Sequence, residues 1–224
     1  MEQGSDEWYA ARLGKVTASR AADVLTKKGS AARSNLSAQL VLERITKTKA
    51  ESFQSPSMQW GIDQEPTAKL FYEASRGVLV ESAGFVQHPS IEYAGASPDG
   101  LVGTNGLVEI KCPNTATMID IILTKKIPTN HITQMQMQMA CTQRDWCDYV
   151  VFDPRMPPKA KLFIKRINRD KVFIDLMEKE IILFLKDVES NYQSIFSFIE
   201  INISDRWFDN LDFSSPEIPN NETK

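Results

Sequence analysis

Asp99, Glu109 and Lys111 are the residues of this chain whose types and spacing suit chemistry most directly. They lie in one stretch, Ser97–Lys111, which reads S-P-D-G-L-V-G-T-N-G-L-V-E-I-K. Two carboxylates on separate segments can hold Mg2+, an ion that keeps several waters and takes few protein carboxylates. A neighbouring ammonium can sit by the attacking water or by the negative charge that builds up in a phosphoryl transition state. The chemistry such a set suits is metal-assisted hydrolysis of a phosphodiester. Glu-x-Lys is also a common solvated pair on amphipathic strands, so the triplet has a bland alternative.

Those three side chains need an element that brings them together. Pro98-Asp99-Gly100 reads as a turn, and Gly103–Gly106 as a second turn between Leu101-Val102 and Leu107–Lys111, which predicts a tight β-hairpin with Asp99 at its mouth. Strand alternation then sends Glu109 and Lys111 to one side and Val108 and Ile110 into a core. An aspartate, a hairpin and Glu-x-Lys on one strand resemble the core pattern of the PD-(D/E)xK nucleases.

Around the hairpin the chain predicts mostly helices. Ser5 with Asp6 and Glu7 opens a short one that Gly14 stops, and Thr17-Ala18-Ser19 caps a second through Leu25. Leu36, Leu40, Val41 and Ile45 give Ser37–Lys47 a helical period. Met58–Arg76 is a long helix stopped by Gly77, with Trp60, Leu70, Phe71 and Ala74 on its expected buried side. Glu65 precedes Pro66, where a helix begins or kinks; it is either a surface glutamate or a carboxylate aimed at a site. Val78–Glu81 and Phe85–His88 read as strands, and Ala116–Thr124 as a helix. In His131–Thr142 the alternating Gln134–Met139 run imitates a strand, but methionine and glutamine favour helix, with the methionines as core filler. Asp145–Pro154 and Lys161–Ile167 are strands, and Asp170–Ile199 a long amphipathic helix. Lys159, Lys161, Lys165, Arg166 and Arg169 have a default explanation as edge-strand charge. Residues 1–204 are expected to form one domain, and 205–224 a polar tail with Pro216 and Pro219. The order predicts an α/β fold with a mixed central sheet flanked by helices rather than a doubly wound one.

Composition limits the partners. A net charge of −3 over 224 residues excludes nucleic-acid binding by bulk charge, so DNA contact would need a local patch. Cys112, Cys141 and Cys147, with His88 and His131, show no paired zinc spacing and are one ligand short of a four-cysteine iron–sulfur cluster. The odd cysteine count, with no signal peptide or membrane-length apolar run, points to a reducing, cytoplasmic setting without membrane contact.

Over nearly its whole length the chain resembles the lambda exonuclease-like, YqaJ-type viral recombinase family. The matching pieces come in order: Glu2-Gln3-Gly4 with Asp6 and Trp8, Arg12-Leu13-Gly14, Thr17-Ala18-Ser19, and Trp60-Gly61 with Glu65. Ser97–Leu101, Glu109 with Lys111-Cys112-Pro113, Gln134 with Gln136, and Asp153–Met156 follow. The resemblance implies a restriction-endonuclease-like fold and a metal-dependent exonuclease. Such an enzyme digests one strand of duplex DNA from a 5′-phosphorylated end, releases mononucleotides and leaves a 3′ single-stranded tail. It also implies a homotrimeric ring, a single-strand annealing protein as partner in recombination, and a phage-type protein in a bacterial host.

Residue by residue, the resemblance implies Asp99 and Glu109 as principal ligands of Mg2+, two ions per site with Mn2+ able to substitute, helped by the Ile110 carbonyl. Lys111 would position or activate water and stabilise charge, and Glu65 would hold the second ion or its water. Gln134 would orient the lysine or the nucleophile. Arg12, Ser19 and Ser97 would grip the 5′-phosphate, with Trp8 packing the pocket wall. Where the family has a further acidic residue before the Pro-Asp-Gly turn, this chain has Pro89 beside His88, so His88 is an outer-shell substitute or a strand-end polar residue. A structure-selective or restriction-type endonuclease, and a non-catalytic recombination adaptor, remain as alternatives.

Overall fold

The computed structural model of the chain describes residues 3–50 and 55–204. In order, the elements are α1 (Asp6–Arg12), β1 (Val16–Thr17), α2 (Ala21–Val24), α3 (Ala31–Thr46), α4 (Pro56–Arg76), β2 (Val80–Glu81), β3 (Val86–Gln87) and β4 (Ala94–Ala96). Then come β5 (Gly100–Val102), β6 (Gly106–Lys111), α5 (Thr115–Thr124), α6 (Thr129–Thr142), β7 (Trp146–Phe152), β8 (Leu162–Asn168) and α7 (Lys171–Ser204). The expected tail, 205–224, lies outside the described residues.

The larger sheet has strand order β2-β5-β6-β7-β8 and is mixed: β6 and β7 run parallel, and the other neighbours antiparallel. The hairpin is there as expected, with Leu101 opposite Leu107 and a turn at Gly103, whose φ of +56° suits glycine. A parallel β6–β7 pair cannot be closed by a tight turn, and α5 and α6 form its crossover. Both faces of the sheet are therefore covered. Ala68 and Tyr72 of α4 pack on one face with Val108, Ile110, Val150 and Phe152. Met118, Ile121, Met135 and Met139 of α5 and α6 pack on the other with Leu107, Tyr149 and Val151. A smaller sheet, β1-β4-β3, joins α2, α3 and α7 in a third cluster that includes Met137 and Cys141.

Several local expectations shift. α3 starts at Ala31, six residues earlier than its apolar period suggested, because the Ser30 hydroxyl accepts from the Arg33 amide. Thr17 makes no side-chain cap; it belongs to β1, which pairs with β4 far along the chain. The buried side of α4 was misread. Leu70 is 65% exposed and Ala74 is exposed, whereas Ala68 and Tyr72 are buried. Phe71 is partly exposed and rests on Phe152. The inward stripe follows positions 61, 65, 68 and 72, so Glu65 shares it with Ala68 and Tyr72. α4 also runs through Pro66 without ending, at the cost of the donor the Ile62 carbonyl would otherwise have.

Candidate active site

Asp99 sits just before β5, where the hairpin has not yet begun to pair. Its Oδ2 takes over that pairing by accepting from the Ile110 amide at 2.6 Å, which ties it to the strand carrying Glu109 and Lys111. Gly100 is required beside it, since an added Cβ would lie 2.0 Å from Val80 Cγ1. Asp99 is half-buried among like charges. Burial first, and Glu109 second, raise its carboxyl well above the usual range.

Glu109 has no exposed surface, because α6 lies over the strand at that point. Its Oε1 takes the Lys111 ammonium at 2.5 Å and the Gln134 amide at 2.7 Å. Oε2 takes the Gln138 amide at 2.6 Å. Gln134 thus reaches the lysine through a shared carboxylate oxygen. Burial alone would lower the Lys111 pKa, but Glu109 and Asp99 outweigh it and hold the ammonium protonated, above an ordinary lysine. Glu65 arrives from α4, and burial and then Glu109 raise its carboxyl.

Elsewhere on the wall of the same cavity the chemistry changes sign. Arg12, at the end of α1, stacks 4.0 Å from the Trp8 ring centroid and donates to Ser97 Oγ at 3.1 Å. Trp8 Nε1 donates to the same hydroxyl at 2.9 Å, so Trp8 holds the wall of the pocket. Burial lowers the Arg12 pKa, and among the described residues no carboxylate pairs with it. Glu43 acts on it only from beyond ion-pair distance, so much of the guanidinium fork is open to a phosphate.

Asp99, Glu109, Ile110, Lys111, Glu65, Gln134, Arg12, Ser19 and Ser97 all line one cavity of about 220 Å³, with Gln3, Trp8 and Ala18. His88 is elsewhere. It is buried between Glu178 of α7, at 3.1 Å, and the Ser90 and Ile91 amides that donate to its Nδ1, which makes it a strand-end polar residue. Asp153 is elsewhere too, tied to Arg155 and to Thr115 at the start of α5.

Gln138 was missed from the sequence, though its signal was present: it stands one helical turn after Gln134, so the two share a face. Tyr149 and His131 were missed as well. Tyr149 lies opposite Glu109 on β7, and its hydroxyl meets His131 Nδ1 at 2.8 Å. Burial and nearby Lys111 lower the His131 pKa to about 4, so its ring is neutral at physiological pH.

The donor set fits a hard divalent cation. Among the described residues no three acidic, histidine or cysteine side chains already form a metal cage. Mg2+ does not need one, since it is bound by one or two carboxylates and otherwise by water and substrate phosphate. Three carboxylates against one lysine, with Asp99 and Glu65 pushed toward protonation, are the electrostatic complement of such an ion.

Residues 7–145 match the model of the YqaJ-like viral recombinase domain. Among solved structures, the alkaline exonuclease LHK-Exo from Laribacter hongkongensis is 46% identical, with a TM-score of 0.83, covering 88% of this chain and 98% of its own. The same protein in complex with dAMP superposes with a TM-score of 0.84 at equal identity and coverage. A phage related exonuclease from Haemophilus somnus 129PT shares the fold, with a TM-score of 0.65 and 16% identity over 83% of this chain and 96% of its own. No curated protein gives a significant match. With a mixed sheet that carries Asp99, Glu109 and Lys111 at one end and a family model that spans most of the chain, this protein belongs to the YqaJ-like viral recombinase family, with the restriction-endonuclease-like fold of its exonuclease relatives.

Proposed function

We propose that the protein is a Mg2+-dependent exonuclease that degrades one strand of linear duplex DNA from a 5′-phosphorylated end, releasing mononucleotides and leaving a 3′ single-stranded tail. The observation that carries this is the single cavity with two opposite ends: an acidic set with a lysine, and an arginine with two hydroxyls and no carboxylate partner. The first suits phosphodiester hydrolysis and the second a terminal phosphate dianion. The dAMP bound by LHK-Exo is the kind of nucleoside 5′-monophosphate this reaction would release.

Asp99 and Glu109, with the Ile110 carbonyl, would hold one ion, and Glu65 a second ion or its water; Mn2+ would substitute. When bound, a divalent cation supplies Lewis-acid polarisation of the scissile phosphate and neutralises its charge. Arg12, Ser19 and Ser97 bind the 5′-phosphate and so set which bond lies before the carboxylates. Lys111, kept charged by Glu109 and Asp99, orients the attacking water and stabilises negative charge in the transition state. Gln134 steadies the lysine by sharing Glu109 Oε1 with it.

The motif resemblance supports the wider setting: a homotrimeric ring, a single-strand annealing protein as partner, and action on phage-type recombination intermediates in the bacterial cytoplasm. A ring would give processivity by topology, so the net charge of −3 is no obstacle to sustained digestion.

The test is end-labelled linear duplex against covalently closed circular duplex, with Mg2+ or with chelator, following mononucleotide release. Release from the linear substrate alone, with Mg2+ alone and faster from 5′-phosphate than from 5′-hydroxyl ends, is expected. Cutting of the closed circle would mean a restriction-type endonuclease, and no release under any condition would mean a non-catalytic adaptor.

A further inference from the structure

We propose that Glu43 limits how tightly the Arg12 pocket holds a 5′-phosphate, so that the nucleotide product leaves after each cut. This rests on the 5′-phosphate site proposed above. A group that grips the phosphate of the substrate grips the same phosphate on the released nucleotide, and binding of that uniform kind slows product release. A fixed charge that opposes the grip speeds it.

Trp8, Arg12 and Ser19 line two cavities at once: the one that holds the acidic set, and a second of about 420 Å³ walled in part by Gln39 and Glu43 of α3. Glu43 is buried. Its Oε2 accepts from the Gly14 amide at 2.9 Å and its Oε1 from the Gln39 side-chain amide at 2.8 Å. Both donors are neutral, and among the described residues no cation lies within ion-pair distance of it. Arg20 reaches Gln39 and Arg44 reaches the Gly14 carbonyl, but each is paired with another carboxylate, Arg20 with Asp23 at 2.6 Å and Arg44 with Glu189 at 2.9 Å. Lys15 and Lys49 line the second cavity too, with Lys15 donating to Gln87 and Lys49 lying over the Tyr9 ring.

A buried carboxylate held by neutral amides is not cancelled locally, and its field reaches the neighbouring site. Burial lowers the Arg12 pKa, and Tyr9 and then Glu43 offset part of that. Glu43 thus favours the charged guanidinium while opposing the anion that the guanidinium binds. Its place is fixed as well. Gly14, two residues after Arg12, gives its amide to Glu43 and its carbonyl to Arg44, so Glu43 cannot swing away without freeing that turn. A neutral glutamine could accept from Gly14 equally well, so these hydrogen bonds do not explain why the buried group carries a charge.

The test reads binding of dAMP, which has no phosphodiester bond to cut, to the full chain by calorimetry with Mg2+ present. Deoxyadenosine serves as the ligand without a phosphate. In Glu43→Gln, which keeps an oxygen for the Gly14 amide and loses the charge, dAMP affinity should rise about tenfold, a modest share of what a unit charge exerts through a protein interior. Inhibition of digestion by dAMP should strengthen by the same factor, and deoxyadenosine binding should not change. Glu43→Asp, which keeps the charge but draws back from Gly14, should lower the melting temperature and leave dAMP affinity near that of wild type. Wild type itself should release its first mononucleotide without a pre-steady-state burst in rapid-quench experiments. A burst would mean that release is slow with Glu43 in place, and would overturn the proposal without any variant. Unchanged dAMP affinity in folded Glu43→Gln, or equal tightening by Glu43→Asp, would also overturn it and leave the phosphate site standing. Wild-type protein that binds dAMP no better than deoxyadenosine would remove the phosphate site and this inference together.

Discussion

Two carboxylates on neighbouring strands of the same sheet, Glu109 on β6 and Asp148 on β7, are both wholly buried, yet their surroundings are opposite in kind. Asp148 faces α4. It accepts from Arg166 Nε at 2.8 Å and Nη2 at 2.9 Å, and from the Tyr72 hydroxyl at 2.9 Å. One negative charge meets one guanidinium, and the hydrogen bonds are filled. On the other face, Glu109 shares a single ammonium with Asp99 and Glu65, and two of its three donors are neutral amides. A balanced buried pair holds a fold together, whereas an unbalanced one is maintained at a cost in stability and marks a place where charge will be brought in.

The largest effect that would break this contrast is on activity. Asp99→Ala or Lys111→Ala should lower turnover by about 10³-fold or more, in the range of losing a key electrostatic group, with the fold and DNA binding retained, although Lys111→Ala, which leaves buried Glu109 without its ammonium, should also lower the melting temperature. Near-normal digestion by either purified variant would remove the acidic end of the cavity from the chemistry. Asp148→Ala should do the reverse. Leaving Arg166 and Tyr72 unpaired should cost about 3 kcal/mol, the low end for a broken buried pair because Arg166 is partly exposed. Specific activity of the folded fraction should hold, and chemical denaturation with activity on the same samples separates the two.

A smaller effect is expected at the cationic end. Arg12→Ala should reduce the preference for 5′-phosphate over 5′-hydroxyl ends by about 10- to 100-fold, the value of hydrogen bonds to a charged group. An unchanged ratio of the two rates would place the phosphate elsewhere.

The smallest effect concerns pH. Burial and Glu109 raise the Asp99 carboxyl above its value in the unfolded chain, so the folded state binds that proton more tightly. The resulting stability is present at low pH and is lost as pH rises from the unfolded pKa through the folded one. Asn cannot titrate, but its side-chain oxygen can still accept from the Ile110 amide. Metal-free Asp99→Asn should therefore melt above wild type at pH 8, with a gap that narrows toward pH 4. A gap that is constant with pH, or reversed, would mean that Asp99 is not held against its charge.

Much of the fold was legible because it rests on local signals. The hairpin followed from its two turns, the end of α4 from Gly77, and α6 from the helix preference of methionine and glutamine over a misleading alternation. Less legible was anything decided by a distant partner. The two-residue β1 exists because Val16 and Thr17 pair with Ala94 and Gly95. Which face of α4 turns inward was set by the sheet it covers, so exposed Leu70 gave a false lead and small Ala68 carried the true one. Gln138 was passed over because its place one turn after Gln134 shows a shared face but not that this face meets Glu109, which depends on how α6 is laid across β6.

By itself the sequence determined the chemical inventory of Asp99, Glu109 and Lys111 at hairpin spacing, while Arg12, Ser19 and Ser97 were singled out as a set suited to phosphate only through the family resemblance. Only the tertiary structure decided that these two sets open onto one cavity, that Glu65 lies on the inward stripe of α4, and that His88 belongs to α7 instead. The physical reason is that side-chain type and strand or helix period are local properties. Burial, the balance of charge and the number of donors on one carboxylate depend on segments far apart in the chain.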